Sequence, residues 1–327
     1  VSEMFWSAAA GLVVRADGRF RAIAADGAVR WTTEQDYTLI AAHTRDGDYL
    51  VGPRGGAMLG ASAPRLLAPA GGCSIGEHPY ETYPAVSARG VMFCKSGDGV
   101  VRVDLRTGTL GAKLALAGLP WAASEDVFVL VSADRSSLRA YRHDGTALWK
   151  KDGLSVSGDT AYGYGQACAT HASGDLAVLF QTPGTYTPDG VYYSGLELST
   201  GKERFHTVTH DIGYGPCAQL DGRFYVMHSP YKYGTTMDRI SPDGTVKPVT
   251  VFGAHGVLGT AADGKLARRS WGYYPNDRGR LIVQDGAGNE VFARTYWSTE
   301  SLAHAVATAG DHVALLEPGK LTHLRFE

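Results

Sequence analysis

The sequence predicts an all-β protein, a β-propeller of four-stranded blades, and three observations carry that expectation. A turn followed by an aromatic residue recurs along the whole chain. A second glycine-containing turn precedes most copies and leads into a short apolar strand. No stretch shows a helical period with caps. Glycine is abundant, at 42 residues without collagen periodicity, and supplies the tight turns such a fold needs.

The first marker is clearest at Asp26-Gly27-Ala28-Val29-Arg30-Trp31 and Asp144-Gly145-Thr146-Ala147-Leu148-Trp149. Weaker copies stand at Thr200-Gly201 with Phe205 and at Ala287-Gly288 with Phe292. Degenerate copies stand at Thr107-Gly108 and Asp243-Gly244, and Gly60 fills the matching place in a further unit. The second marker is Asp46-Gly47, Arg89-Gly90, Ser173-Gly174, Asp221-Gly222 and Asp263-Gly264. Glycine beside Asp or Asn supplies the positive φ that tight hairpins require.

Each unit therefore reads as strands A to D. In the unit 82–117, strand A is Pro84–Ser87, B is Val91–Lys95, C is Val100–Leu105 and D is Leu110–Leu116. Alternation of apolar and polar residues in C and D fits half-buried antiparallel strands. Along the chain, units fall at 5–34, 38–72, 82–117, 119–155, 165–209, 215–252 and 257–297. The tail, 302–327, gives only A, B and C, and Met4–Ser7 is the strand expected to complete it. That arithmetic favours eight blades, with seven as the alternative, in a single domain spanning 1–327. A β-sandwich accounts less well for so regular a repeat.

The Asp-Gly-x-x-x-Trp pattern resembles the repeat of the PQQ-like (quinoprotein-like) β-propellers, a family that includes non-enzymatic outer-membrane assembly propellers and quinone-dependent alcohol dehydrogenases. The resemblance covers most of the chain, through a short motif of which two copies keep the Trp. It implies the fold far more than a function. The non-enzymatic branch is favoured, because nothing matches the dehydrogenases' vicinal cysteine pair. No Trp-Asp dipeptide marks a WD40 repeat, and no Asp-box marks a sialidase.

Composition narrows the partners. The apolar runs are strand-length, well short of the roughly 20 residues of a spanning helix. The net charge of −2 and the absence of a basic cluster argue against nucleic acid. Cys73, Cys94, Cys168 and Cys217 contain no CxxC pair, and free, partly buried thiols are expected. Residues 1–6 lack a signal-peptide pattern, so the chain is read as cytoplasmic, or as secreted or periplasmic with its signal already removed. A monomer is favoured.

Strand order assigns the faces. In an antiparallel blade the A–B and C–D turns share one face, and the B–C and D–A connections share the other. The first set is uniformly tight. The B–C loops lengthen in three adjacent units, Gln181–Tyr193, His228–Met237 and Ser270–Gly279. They carry Tyr186, Tyr192, Tyr193, Tyr231, Tyr233, Trp271, Tyr273 and Tyr274, and the D–A connections add Tyr80, Tyr83, Tyr162, Tyr164, Tyr214 and Trp297. Such side chains offer a flat apolar face with a polar tip and suit binding of a glycan or a protein. The expected ligand-binding set is Tyr164, Tyr193, Tyr214, Tyr231, Tyr233, Trp271, Tyr273 and Tyr274.

Two other chemistries find residues of the right type. His228, Tyr231 and Arg268 are the residue types a polysaccharide lyase uses for β-elimination on a uronate polymer, a base with a cation to hold the developing charge. His78, His210 and His255 fall in D–A connections, and a divalent metal is the one cofactor they leave open. His206 and His210 lack the Glu and the helix of a zinc-protease motif. Residues 259–266 approximate a Walker A loop, but Leu266 replaces the Ser or Thr. A scaffold subunit of a larger assembly is the remaining reading.

Overall fold

The computed structural model describes residues 3–7, 9–24, 26–33, 40–44, 47–52, 55–58, 60, 62, 64–67, 84–156, 172–181, 191–209, 213–218, 224–228, 235–260, 266–270, 278–285, 289–297, 305–309, 312–317 and 320–325. Every regular element among them is a β-strand.

The first sheet holds β1 (Glu3–Ser7), β2 (Gly11–Ala16), β3 (Arg19–Ile23) and β4 (Val29–Thr32). The second holds β5 (Ile40–Thr44), β6 (Gly47–Gly52), β7 (Gly55–Met58) and β8 (Arg65–Leu67). The third holds β9 (Ala85–Val86), β10 (Val91–Ser96), β11 (Gly99–Asp104) and β12 (Thr109–Leu114). The fourth holds β13 (Leu119–Ala123), β14 (Val127–Val131), β15 (Ser137–Arg142) and β16 (Ala147–Asp152). The fifth holds β17 (Ala172–Ser173), β18 (Leu176–Gln181), β19 (Val191–Glu197) and β20 (Glu203–Thr209). Each is an antiparallel meander in chain order, as the A-to-D reading requires.

The next sheet has seven strands: β21 (Gly213–Ala218), β22 (Phe224–His228), β23 (Thr235–Ile240), β24 (Val246–Thr260), β25 (Leu266–Ser270), β26 (Arg278–Gln284) and β27 (Glu290–Trp297). Here β24 is strand D of one unit and strand A of the next, pairing with both β23 and β25. The expected D–A connection at this point, with His255 in it, is instead continuous strand. After Pro248 the segment holds no Pro, Asp or Asn to end the extension, only glycines. The last sheet is β28 (Ala305–Ala309), β29 (His312–Glu317) and β30 (Lys320–Arg325). Met4–Ser7 does not complete it. Those residues lie in β1, which pairs with β2, from Glu3 against Arg15 to Ser7 against Gly11. First strands meet neighbouring units: β1 lies near β28, β9 near β13, and β24 near β28.

The core lies between sheets. In β14, Val127, Val129 and Val131 face the fifth sheet and join Trp121, Ala177, Leu179 and Leu196. The alternate residues Phe128 and Leu130 face the third sheet and join Phe93, Val91 and Val100. Both faces are covered, which is why Val-Phe-Val-Leu-Val reads as an unbroken apolar run. Phe128 is 0% exposed, and its ring stacks on Phe93 with centroids 4.1 Å apart. Beyond the fifth sheet, Leu176 and Val178 pack on Phe224 and Ile240. Burying each such side chain contributes on the order of 1.5–3 kcal/mol.

Candidate functional site

The two ends of the sheets are built differently. At the end formed by A–B and C–D turns, the repeat marker closes on itself. The Oδ1 atoms of Asp26, Asp144 and Asp243 accept hydrogen bonds from the backbone N–H of Ala28, Thr146 and Thr245, at 3.0, 2.8 and 2.9 Å. In the weaker copy at Thr200 and the degenerate one at Thr107 the threonine does the same with Oγ1, accepting from Lys202 and Thr109 at 3.2 Å each. The glycine after each takes a positive φ, for example 90° at Gly145 and 70° at Gly201. Asp and Thr are thus interchangeable here, because the turn needs only a short side chain with an acceptor oxygen. The backbone N–H of Thr146 holds the Asp144 carboxyl below the usual carboxylate range, and that of Thr245 does the same for Asp243.

In the two copies that keep it, the Trp of the marker locks a unit to its successor. Trp31 Nε1 donates to the Gly60 carbonyl at 3.0 Å, and Trp149 Nε1 donates to the Leu198 carbonyl at 2.7 Å. A Cβ on Gly201 would stand 2.7 Å from Cδ2 of Trp149, and one on Gly244 would stand 2.6 Å from Cβ of Phe205. Gly201 and Gly244 are therefore each the seat for the aromatic of the sheet before.

A half-buried histidine also lies at this end. His143 Nε2 is 3.2 Å from the Ser124 carbonyl, and the ring meets Phe93 edge-on at 4.9 Å. Burial pushes its pKa down, the Arg102 guanidinium adds to this, and the contact with Ser124 and the charges of Asp126 and Asp144 oppose it. His143 carries no motif of its own in the sequence. The adjacent Asp-Gly marker was the available signal, since it places the residue in a turn beside the core.

At the opposite end, the early units close tightly. Gly97 and Asp98 join β10 to β11. Between β14 and β15, Asp134 takes Ser132 Oγ at 2.5 Å, Ser136 Oγ at 2.8 Å and the Ser136 N–H at 3.2 Å. These hold the Asp134 carboxyl down at about 2, the Ser132 hydroxyl being the largest cause. Leu154 and Val156 then donate to Ser136 and Arg135, pinning this loop to the chain that leaves β16. The later units are longer here, with residues 182–190, 229–234 and 271–277 lying between strands B and C.

The strands extend further into the expected loops than the sequence indicated. Gln181 ends β18 and pairs with Tyr192, and Phe180 pairs with Tyr193, so Tyr192 and Tyr193 are strand residues. Tyr214 lies in β21 opposite Met227, and Trp297 lies in β27 opposite Arg278, not in D–A connections. His228 ends β22, paired with Gly213 and Thr236. Arg268 is inside β25, between Val257 and Ile282, two positions before the strand ends at Ser270. Aromatic and β-branched residues favour pleated pairing, which is why these segments continue as strand. His255 follows Ala254, which is paired with both Thr235 and Ser270. That register sets the ends of β22, β23, β25 and β26 and the middle of β24 along one end of the seven-stranded sheet.

Tyr164, Tyr231, Tyr233, Trp271, Tyr273, Tyr274, His78 and His210 lie outside the described residues. His206 lies in β20, exposed, with Nδ1 3.0 Å from Ser194 Oγ and 3.8 Å from Glu203. Among the described residues no three His, Cys, Asp or Glu side chains form a metal cluster. The cysteine expectation needs correction: Cys94 is disulfide-bonded, not a free thiol. No helix among the described residues is long and apolar enough to cross a membrane.

No protein-family model matches the chain, and no curated protein matches it at a significant level. Solved structures do. Apo AztD from Citrobacter koseri superposes with a TM-score of 0.58 at 12% identity, over 96% of this chain and 90% of that one. The dihydro-heme d1 dehydrogenase NirN gives 0.53 at 14% identity, over 96% and 68%. Atg21 in a complex with the coiled coil of Atg16 gives 0.52 at 8% identity, over 88% and 94%. The chain is a β-propeller. At these identities the likeness shows the fold alone, and a propeller by itself chooses between neither catalysis nor binding. What distinguishes the two ends of this propeller is local. One uses its polar side chains to close its turns, and at the other the later units have residues 182–190, 229–234 and 271–277, aromatic in sequence, between strands B and C.

Proposed function

We propose that this propeller is a binding protein whose partner, a protein in the first instance, docks on the end formed by the B–C loops and D–A connections. The observation that carries the reading is the asymmetry between the ends. The turn end is closed by Asp and Thr acceptors and by docked aromatics. The loop end carries the segments 182–190, 229–234 and 271–277, in whose sequence Tyr186, Tyr231, Tyr233, Trp271, Tyr273 and Tyr274 fall. Tyr and Trp bury large area for little conformational entropy, the property that makes them anchors at interfaces. The complex of the structural neighbour Atg21 with a coiled coil is a precedent for the fold in such a role. The chain is proposed to act as one propeller and as a monomer. The resemblance to the non-enzymatic PQQ-like propellers agrees with this reading. No observation separately favours β-elimination by His228, Tyr231 and Arg268.

The test is the double variant Tyr231→Ala/Tyr273→Ala against the parent chain, each immobilised and challenged with native extract and with a glycan array. A partner retained by the parent and lost by a variant of unchanged Tm is the expected result. A retained glycan in place of a protein would replace the partner class. A partner held equally by both chains would overturn the placement of the site.

A further inference from the structure

Cys94 is 1% exposed and disulfide-bonded, and its Sγ lies 3.7 Å from the Val101 carbonyl oxygen. A sulfur committed to a disulfide has no proton to give, so that approach is packing. Three cysteines remain as partners, Cys73, Cys168 and Cys217.

The architecture separates them. On β10, Phe93 faces the fourth sheet, where it stacks on Phe128. Side chains alternate along a strand, so Cys94 points away from the fourth sheet, to the side of the preceding unit. Cys217 lies in β21, and the fourth and fifth sheets stand between β21 and β10. Cys168 precedes β17, and the chain from Cys168 to Ala172 spans at most about 14 Å. The nearest described residue, Ala172, belongs to the fifth sheet, and the fourth stands between that sheet and β10. A disulfide needs its Cα atoms within about 7 Å. Cys73 falls in sequence between β8 of the second sheet and β9 of the third, the strand that pairs with β10. The register Phe93↔Ala85 sets Cys94 beside the point where the chain enters β9.

We propose that Cys73 and Cys94 form a disulfide that staples the 68–83 connection to the core of the third sheet, and that the protein matures where dithiol oxidants operate. The two thiols lose two protons and two electrons and gain one S–S bond, while the disulfide of a thiol oxidant is reduced to its dithiol. Persistent structural disulfides belong to oxidising compartments. The stapled connection carries His78, Tyr80 and Tyr83 in its sequence, so the cross-link anchors part of the loop end.

The experiment is peptide mapping of the full chain recovered from its native source, unfolded without reductant and alkylated. A Cys73–Cys94 linked peptide, two hydrogens lighter than its parts and absent after reduction, is expected. Cys73→Ser, Cys94→Ser and the double variant should each lower Tm by the same amount, about 5 °C. Cys94 linked to Cys168 or Cys217 would overturn the pairing, and Cys94 recovered alkylated would overturn the oxidising compartment.

Discussion

The B–C end of the third and fourth sheets differs from the B–C end of the fifth sheet and the seven-stranded sheet. In the former, a two-residue turn and an Asp134-centred loop leave their polar groups committed to one another. In the latter, strands B run to Gln181, His228 and Ser270 before longer segments intervene. A loop with its polar groups satisfied internally has little left to offer a ligand. The difference separates residues that hold the propeller together from residues that it can present, and substitutions should divide the same way.

The largest stability effect is expected from Phe128→Ala, which empties the contact between the third and fourth sheets. A loss of about 3–5 kcal/mol is expected from denaturant titration, with partner affinity unchanged in the folded fraction. Next are Trp149→Phe, which removes the N–H donated to Leu198, and Gly201→Ala, which fills the seat of that ring. Each should cost about 1–3 kcal/mol, and the pair should be less than additive because both act on one contact. If the two are strictly additive, the docking account is wrong.

Smaller effects come from pH. Asp134 titrates near 2 in the fold and near 3.9 when unfolded, so its contribution is present above about 4 and is lost as pH falls towards 2. Asp134→Asn should flatten the acid limb of a stability–pH curve. His143 has the opposite chemistry. Its folded pKa lies below the ordinary value near 6.5, so the unfolded chain takes the proton first and stability declines as pH falls below 6.5. His143→Gln should remove that slope. The smallest stability effect belongs to Tyr231→Ala/Tyr273→Ala, within about 0.5 kcal/mol, although it should abolish partner binding. A large Tm loss in this double variant would place those tyrosines with the closed region.

What the sequence made legible was local. Asp26-Gly27 and Asp144-Gly145 announce their turns because acceptor and glycine are neighbours, and Gly60 was placed by spacing alone. The same locality explains the misses. Tyr192 and Tyr193 read as loop because nothing nearby shows that Gln181 and Phe180 lie opposite them. The unbroken β24 was split because its glycines look like a connection. The disulfide of Cys94 was missed because sequence does not state connectivity. At the site, the aromatic bias of the loop end was readable, but whether a tyrosine is strand or loop depends on a pairing made elsewhere in the chain.

The docking of one sheet's aromatic on the next also sets a schedule for synthesis. Trp149 finds its acceptor 49 residues later in the chain. At roughly 5–20 residues per second, a nascent chain holds that indole without its seat for roughly 2–10 seconds. The first sheet likewise emerges with Trp31 awaiting Gly60, 29 residues further on. Chains stalled before Leu198 should therefore be cut by protease at the newest sheet far more readily than chains stalled after Gly201.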